Sequence, residues 1–489
     1  LLVEHPVGAV FLLALLARGV LVTIIAVRNG GYLFDDDHQY IALASDVVHG
    51  RTGHWDDYTR GLYDSNATFM WPLTALFAVF GVHAFLGQAM VALAGAATAA
   101  VVVRLVLEFA GRGVALLSGA AVAIMPSQVL FSSVTLKDAL VWACLSGIAL
   151  VAAIAGRVHG RALVKAALAC VVLLVLLGFL RQHTLVVAAW ALMLTTWLGD
   201  AADRGRRTAA AAIMALAVPF VAGAGIGGIG ILDRTASLAE QRALGAQGAA
   251  TALVSPAPDV GNAPRPIATA PGDADPLRTE AEAAAARARA AQDRLQSVLG
   301  VLNQPSPPPD ARERLAAARR AADQARSESA RLQQQLASAA TRAPAANATP
   351  APDVDSSFGA GVGASTAGSN LAYLPHGLAV MTLYPYPWSS QSSGRMQLAR
   401  VEMVLWYPLL LLGLLGLVQL RRHGRVLGFP LVVGGGIATM WALVEGNFGT
   451  AYRHRGEFVW AAVVLAAAGL GVLWSRHLGR ETRATAMTG

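Results

Sequence analysis

Three consecutive carboxylates, Asp35-Asp36-Asp37, run into His38-Gln39-Tyr40 directly after the first long apolar stretch, Val7 to Val27. Carboxylates are costly in hydrocarbon and cheap at its edge, so this triplet belongs where a membrane span emerges into water. Crowded acids at a low-dielectric boundary repel one another, which lifts one of them towards the range where it can accept a proton. Three other polar groups fall at span ends. Pro126 to Asp138 finishes in Lys137-Asp138; Tyr384 to Trp388 is followed by Arg395 and Arg400; Glu445 to Arg455 carries Arg453 and Arg455. Acids and arginines on one side of a membrane suit the transfer of a sugar from a lipid phosphate. A carboxylate takes the proton of the attacking hydroxyl, and guanidinium groups hold the phosphate as charge develops on it.

On that chemistry Asp36 and Asp37 are the candidate bases. Arg395, Arg453 and Arg455, with Lys137 and Asp138, are candidates for the phosphate end, and Tyr40 and Trp388 line the substrate. Each has a plainer alternative. The acids can be a solvated loop, Lys137 and Asp138 an ion pair closing a hairpin, Trp388 an interfacial anchor, Tyr40 a packing residue, and the two late arginines ordinary loop cations. His183 and His454 lack partners at metal spacing and read as hydrogen-bonding residues.

The elements that must position these groups are membrane helices. The chain is 55% apolar and 14% charged, against roughly 25% charged in an ordinary soluble domain, and its mean hydropathy is +0.50. Apolar runs at 7–27, 72–103, 114–131, 135–155, 162–180, 184–199, 208–232, 401–420, 426–444 and 457–474 give about ten spans. The first reads as a retained span rather than a removable signal. Residues 72–103 exceed one upright helix and imply tilt or an interfacial first turn. Basic residues concentrate in alternate connections, at Arg104, Arg112, Arg157, Arg161, Lys165 and Arg421 to Arg425, which puts the N-terminus inside and the acidic triplet outside. Cys144 and Cys170 lie within apolar runs and carry no disulfide framework.

The expected organisation is an N-terminal transmembrane module, 1–232, whose first outer loop is 28–71; an outer insertion, 233–370; and a C-terminal transmembrane module, 371–489. The insertion is rich in Ala and Arg with Phe358 its only aromatic residue, too poor for a conventional core. Two helix-prone parts around a Pro-rich break predict a helical hairpin over 278–341 with flexible flanks. Acids interleave with its arginines, so composition does not point to nucleic acid.

Asp36-Asp37-His38-Gln39-Tyr40, placed after the first span, resembles the acid-acid-x-x-Tyr signature of the polytopic GT-C glycosyltransferases, such as protein O-mannosyltransferases and bacterial aminoarabinose transferases of lipid A. Pro126 to Asp138 resembles that family's second outer loop, and Gly449 to Arg455 a closing motif of bacterial members. The resemblance covers about 1–232 and 371–474; the Ala/Arg-rich insertion is foreign to it, and Asp35 blurs which acid leads the signature. It implies an all-α GT-C bundle in a bacterial plasma membrane, with its site facing outside, where Asp36 is the base and Asp138 supports it. The implied partners are membrane lipids, a polyprenyl-phosphate-linked sugar, and a glycan, lipid or protein acceptor, with inversion at the transferred sugar. Some members need a divalent metal, magnesium or manganese, and some need none; here Asp36 and Asp138 are the positions for it. A polysaccharide polymerase or ligase, a transporter and a non-catalytic envelope protein are the competing readings.

Overall fold

The computed structural model describes residues 4–197, 367–388, 394–445 and 448–488, together with scattered positions between 280 and 332. The expected span at 208–232 lies outside the described residues. The chain forms two compact units, one of Leu1–Val254 with Asp353–Gly489 and one of Ser255–Pro352. In the second unit Arg287 pairs with Glu328 at 3.2 Å, and Ala284 and Leu332 bury together. Those two pairings run in opposite chain directions, as in an antiparallel helical hairpin.

The first unit is a bundle of apolar helices with the hydropathy of a multi-spanning membrane protein. Helix α1 (Pro6–Asn29) starts on a proline and stops at Gly30, whose φ of 64° closes the helix with its N–H on the Ile25 carbonyl. α2 (Asp35–Val48) and α3 (Asp57–Ser65) follow, then α4 (Ala67–Phe80) and α5 (Ala84–Val106). The run at 72–103, expected as one span with tilt or an interfacial first turn, is therefore two helices, broken at Gly81 (φ 85°). At 14 residues α4 is about 21 Å long, too short to cross a hydrocarbon core of about 30 Å. The Asn66 side chain at its start receives the Lys137 ammonium, and a Cβ on Gly87, near the start of α5, would lie 3.1 Å from Leu73. Both contacts are at one end of the bundle, so α2 to α4 form a cap across that end.

The segment after α6 (Arg112–Ile124) was expected to be an outer hairpin. It is instead a short helix, α7 (Pro126–Phe131), whose Ser127 and Gln128 are completely buried. Met125, at ψ 127°, breaks α6 from α7 because the residue before a proline avoids helical geometry. A break inside a bundle leaves carbonyls orphaned on one side and N–H groups on the other. Arg18 donates to the carbonyls of Ala123 and Gln128 and to the Ser132 hydroxyl, while Glu402 accepts from the Ser127 N–H and hydroxyl. A cation at a helix C-terminus and an anion at an N-terminus also match the helix dipoles.

α8 (Asp138–Ala155), α9 (Arg161–Gly178) and α10 (Gln182–Trp197) complete the described N-terminal part. In the C-terminal part α11 (Ala367–Leu383) is followed by α12 (Gly394–Gly416), α13 (Leu420–Val444) and α14 (Phe448–Thr488). α12 and α14 cross where Gly413 and Gly416 meet Leu465 and Gly469, the small-residue approach common between membrane helices. By length and composition six helical segments among the described residues suffice to cross a membrane, the segment 397–444 containing both α12 and α13. At the end opposite the cap, Glu108 pairs with Arg104 and Arg157, and Arg425 donates to the Gly156 carbonyl at 3.2 Å. The basic connections thus share one end, and the acidic triplet lies at the other.

Candidate functional site

The acidic triplet is the first turn of α2, and helical geometry sends its members to different places. Asp37 is completely buried and turns back, its Oδ2 accepting the Leu33 N–H at 2.9 Å. Burial pushes its pKa up, opposed by the backbone N–H groups of Leu33, Phe34 and His38. Asp36 faces across the cap, 52% exposed, and its Oδ2 accepts from Arg453 Nη1 at 2.6 Å. Tyr40 is buried edge-on against Phe69, a packing role that leaves no open face for a substrate, and burial lifts its hydroxyl to about 12.

Arg453 belongs to helix, not to a loop, because α14 begins at Phe448. Its Nε and Nη2 lie 2.9 Å from Asp138 Oδ2. Asp138, wholly buried at the first turn of α8, gives its other oxygen to Arg181 Nη2 at 2.5 Å. Arg181, between α9 and α10, donates in turn to Glu457 and lies 2.8 Å from His454 Nδ1. Glu457 also accepts from Trp441 Nε1 at 2.9 Å and Thr184 Oγ1 at 3.1 Å. His454 stacks on Trp441 at 3.5 Å, and its Nε2 is 3.4 Å from Glu445, whose carboxyl burial lifts to about 8. The result is a row of alternating charge, Asp36, Arg453, Asp138, Arg181 and Glu457, that starts in solvent and ends inside the bundle.

Protein-family models, curated proteins and solved structures were all compared with the chain, and none matches.

Lys137 is half-buried, donates to Asn66 Oδ1 at 2.5 Å, and is held down to about 7 by burial and by Arg181. It ties the cap to α8. Arg455, two residues beyond Arg453, points the other way. It is buried, donates to the carbonyls of Met381 and Tyr384 and to Met403 Sδ, and packs against Trp406 and Tyr452. These contacts engage all three nitrogens of the guanidinium that the sequence assigned to phosphate. Arg455 instead secures the loop after α11, where Trp388, 79% exposed, lies parallel to Tyr386 and Tyr384 stacks on Phe448 at 3.8 Å. The side chain of Arg395 lies outside the described residues.

Among the described residues no group of three or more His, Cys, Asp or Glu is placed to hold a metal ion. The two carboxylates assigned to a metal, Asp36 and Asp138, face each other across the Arg453 guanidinium, which occupies the place of the cation. As arranged, they do not fit a divalent ion.

Sequence reasoning missed Arg181 and Glu457. Arg181 had a signal, being an arginine at the very end of a span on the side poorer in basic residues. Glu457 was assigned to the start of a span at 457; with α14 beginning at Phe448, it lies nine residues in, about 13 Å along the helix.

Proposed function

We propose that this protein is a GT-C type glycosyltransferase of a bacterial plasma membrane, its capped end facing outside. It transfers a sugar from a polyprenyl-phosphate carrier to an acceptor hydroxyl with inversion. The observation that carries the reading is the 2.6 Å contact between Asp36 and Arg453, 417 positions apart, at the solvent end of a buried charge row. Asp36 is the one member of the row with about half its side chain in water, where an acceptor can reach it. It takes the hydroxyl proton as the acceptor oxygen bonds to the anomeric carbon. The bond from that carbon to the phosphate oxygen breaks, and its electron pair leaves with the prenyl phosphate. Arg453, kept cationic and fixed by Asp138, stabilises that departing charge.

The experiment is sugar transfer in proteoliposomes. Asp36→Asn is expected to lower the rate by about 10²- to 10⁴-fold, the usual worth of a general base, and Arg453→Ala by about 10²- to 10³-fold, as for other lost anion donors. Asp37→Asn keeps an oxygen for the Leu33 N–H and should stay within about tenfold of wild type, since one hydrogen bond contributes about 1 kcal/mol. Full activity in Asp36→Asn and Arg453→Ala would remove the assignment.

A further inference from the structure

Arg453 is gripped from two sides by partners of unequal permanence. Asp138 takes Nε and Nη2, is wholly buried, and is itself fixed by Arg181 on its second oxygen. Asp36 takes Nη1 alone, from a half-exposed position on the first turn of α2. A buried ion pair loses an uncompensated charge into low dielectric when it opens, whereas a half-exposed carboxylate exchanges its partner for water. The start of α2 stays in place when this happens, because Asp37 holds the Leu33 N–H independently of Asp36. One corner of the guanidinium is therefore exchangeable, and its natural competitor is another oxyanion: a phosphate diester, singly charged like a carboxylate, or a phosphate monoester of higher charge.

We propose that Asp36 occupies the phosphate seat at Arg453 in the unloaded protein, and that the phosphate of a prenyl-linked lipid displaces it, so that binding of the donor is what releases the base. This inference rests on the transferase reading and adds a coupling to it. The carboxylate that will accept the proton is neutralised by Arg453 until the lipid phosphate takes over the Nη1 corner. Asp138 meanwhile keeps the guanidinium aimed at the cap through the exchange. Asp36 is thus both the base and a competitive internal ligand, and removing its charge should slow turnover by about 10²- to 10⁴-fold while improving affinity for the phosphate.

The test measures binding of a polyprenyl monophosphate to the full-length protein in nanodiscs, with the uncharged prenyl alcohol as control. Wild type, Asp36→Asn, Asp36→Ser and Arg453→Ala are compared by native mass spectrometry after each is shown to melt as a folded protein. The expected result is phosphate binding tightened by about 1.5- to 5-fold in both Asp36 variants, the factor a half-exposed ion pair supplies as a competitor. Alcohol binding should be unchanged, and Arg453→Ala should lose the preference for phosphate. Wild-type phosphate preference with equal or weaker binding in the Asp36 variants would overturn the exchange and leave the transferase reading standing. Absence of any preference for phosphate over alcohol in wild type and in both Asp36 variants would overturn both.

Discussion

Arg181 sits between two buried acids, and replacing it tests whether the charge row behaves as one unit. Its side chain is 4% exposed, those of Asp138 and Glu457 are 0% exposed, and the contact to Asp138 is 2.5 Å. At an effective dielectric of about 20, unit charges about 4 Å apart attract by about 4 kcal/mol. Removing one partner of a buried pair costs about 3–5 kcal/mol, because the other charge is left uncompensated. Arg181→Met leaves Asp36, Asp138 and Glu457 against Arg453 alone, two negative charges in excess instead of one, and should lie in that range. Glu457→Gln keeps Arg181 on Asp138, and its amide can still meet Thr184 and Trp441, so about 1–3 kcal/mol is expected. In the double variant the excess returns to one negative charge and Asp138 retains Arg453, so the loss should fall short of the summed singles by about 2 kcal/mol or more. SDS-titrated unfolding in mixed micelles measures all four proteins. Losses that add to within about 0.5 kcal/mol would mean that Arg181 and Glu457 contribute independently, and the row would not be a unit.

Two further outcomes follow from other parts of the bundle. Burial raises the Glu445 carboxyl from 4.5 to about 8, so the folded state binds a proton there that the unfolded chain has released. Its stabilising effect is complete below 4.5 and is lost as pH rises through about 8. Lys137 acts with the opposite sign and only from about 7 upwards. Melting temperature should therefore fall less steeply with pH in Glu445→Gln than in wild type across the slightly acidic range, and parallel curves would refute the assignment. Gly456 faces Trp142, and a Cβ there would approach Cζ2 to 2.6 Å and Gln128 Nε2 to 3.3 Å. Gly456→Ala should cost about 1–3 kcal/mol by overpacking in the same SDS titration, and an unchanged midpoint would show that α8 and α14 can separate there without loss.

What was legible in the sequence was whatever depends on composition along the chain. Long apolar runs gave membrane helices, and the sidedness of the basic connections put Asp36, Asp138 and Arg453 at one end. What was not legible depends on where each helix begins, because that sets the direction of every side chain on it. Successive residues of a helix point about 100° apart, so adjacent Asp36 and Asp37 diverge once α2 starts at Asp35. Residues two apart point almost oppositely, so Arg453 reaches Asp138 while Arg455 turns to Met381. Residues three and four apart share a face, which brings Glu457 alongside both His454 and Arg453. Starting the last span at 457, when its helix begins at Phe448, hid this phase, and with it the row's inner half. The break between α6 and α7 was hidden for another reason. Hydropathy registers that Pro126 to Phe131 is apolar enough to be buried, but not that a buried break must recruit Arg18 and Glu402 to satisfy the backbone it exposes. Those two charges look out of place in apolar runs until the broken helix is drawn. A carboxylate or guanidinium inside a predicted span is therefore best read as a demand: somewhere nearby, either an opposite charge or an interrupted backbone answers it.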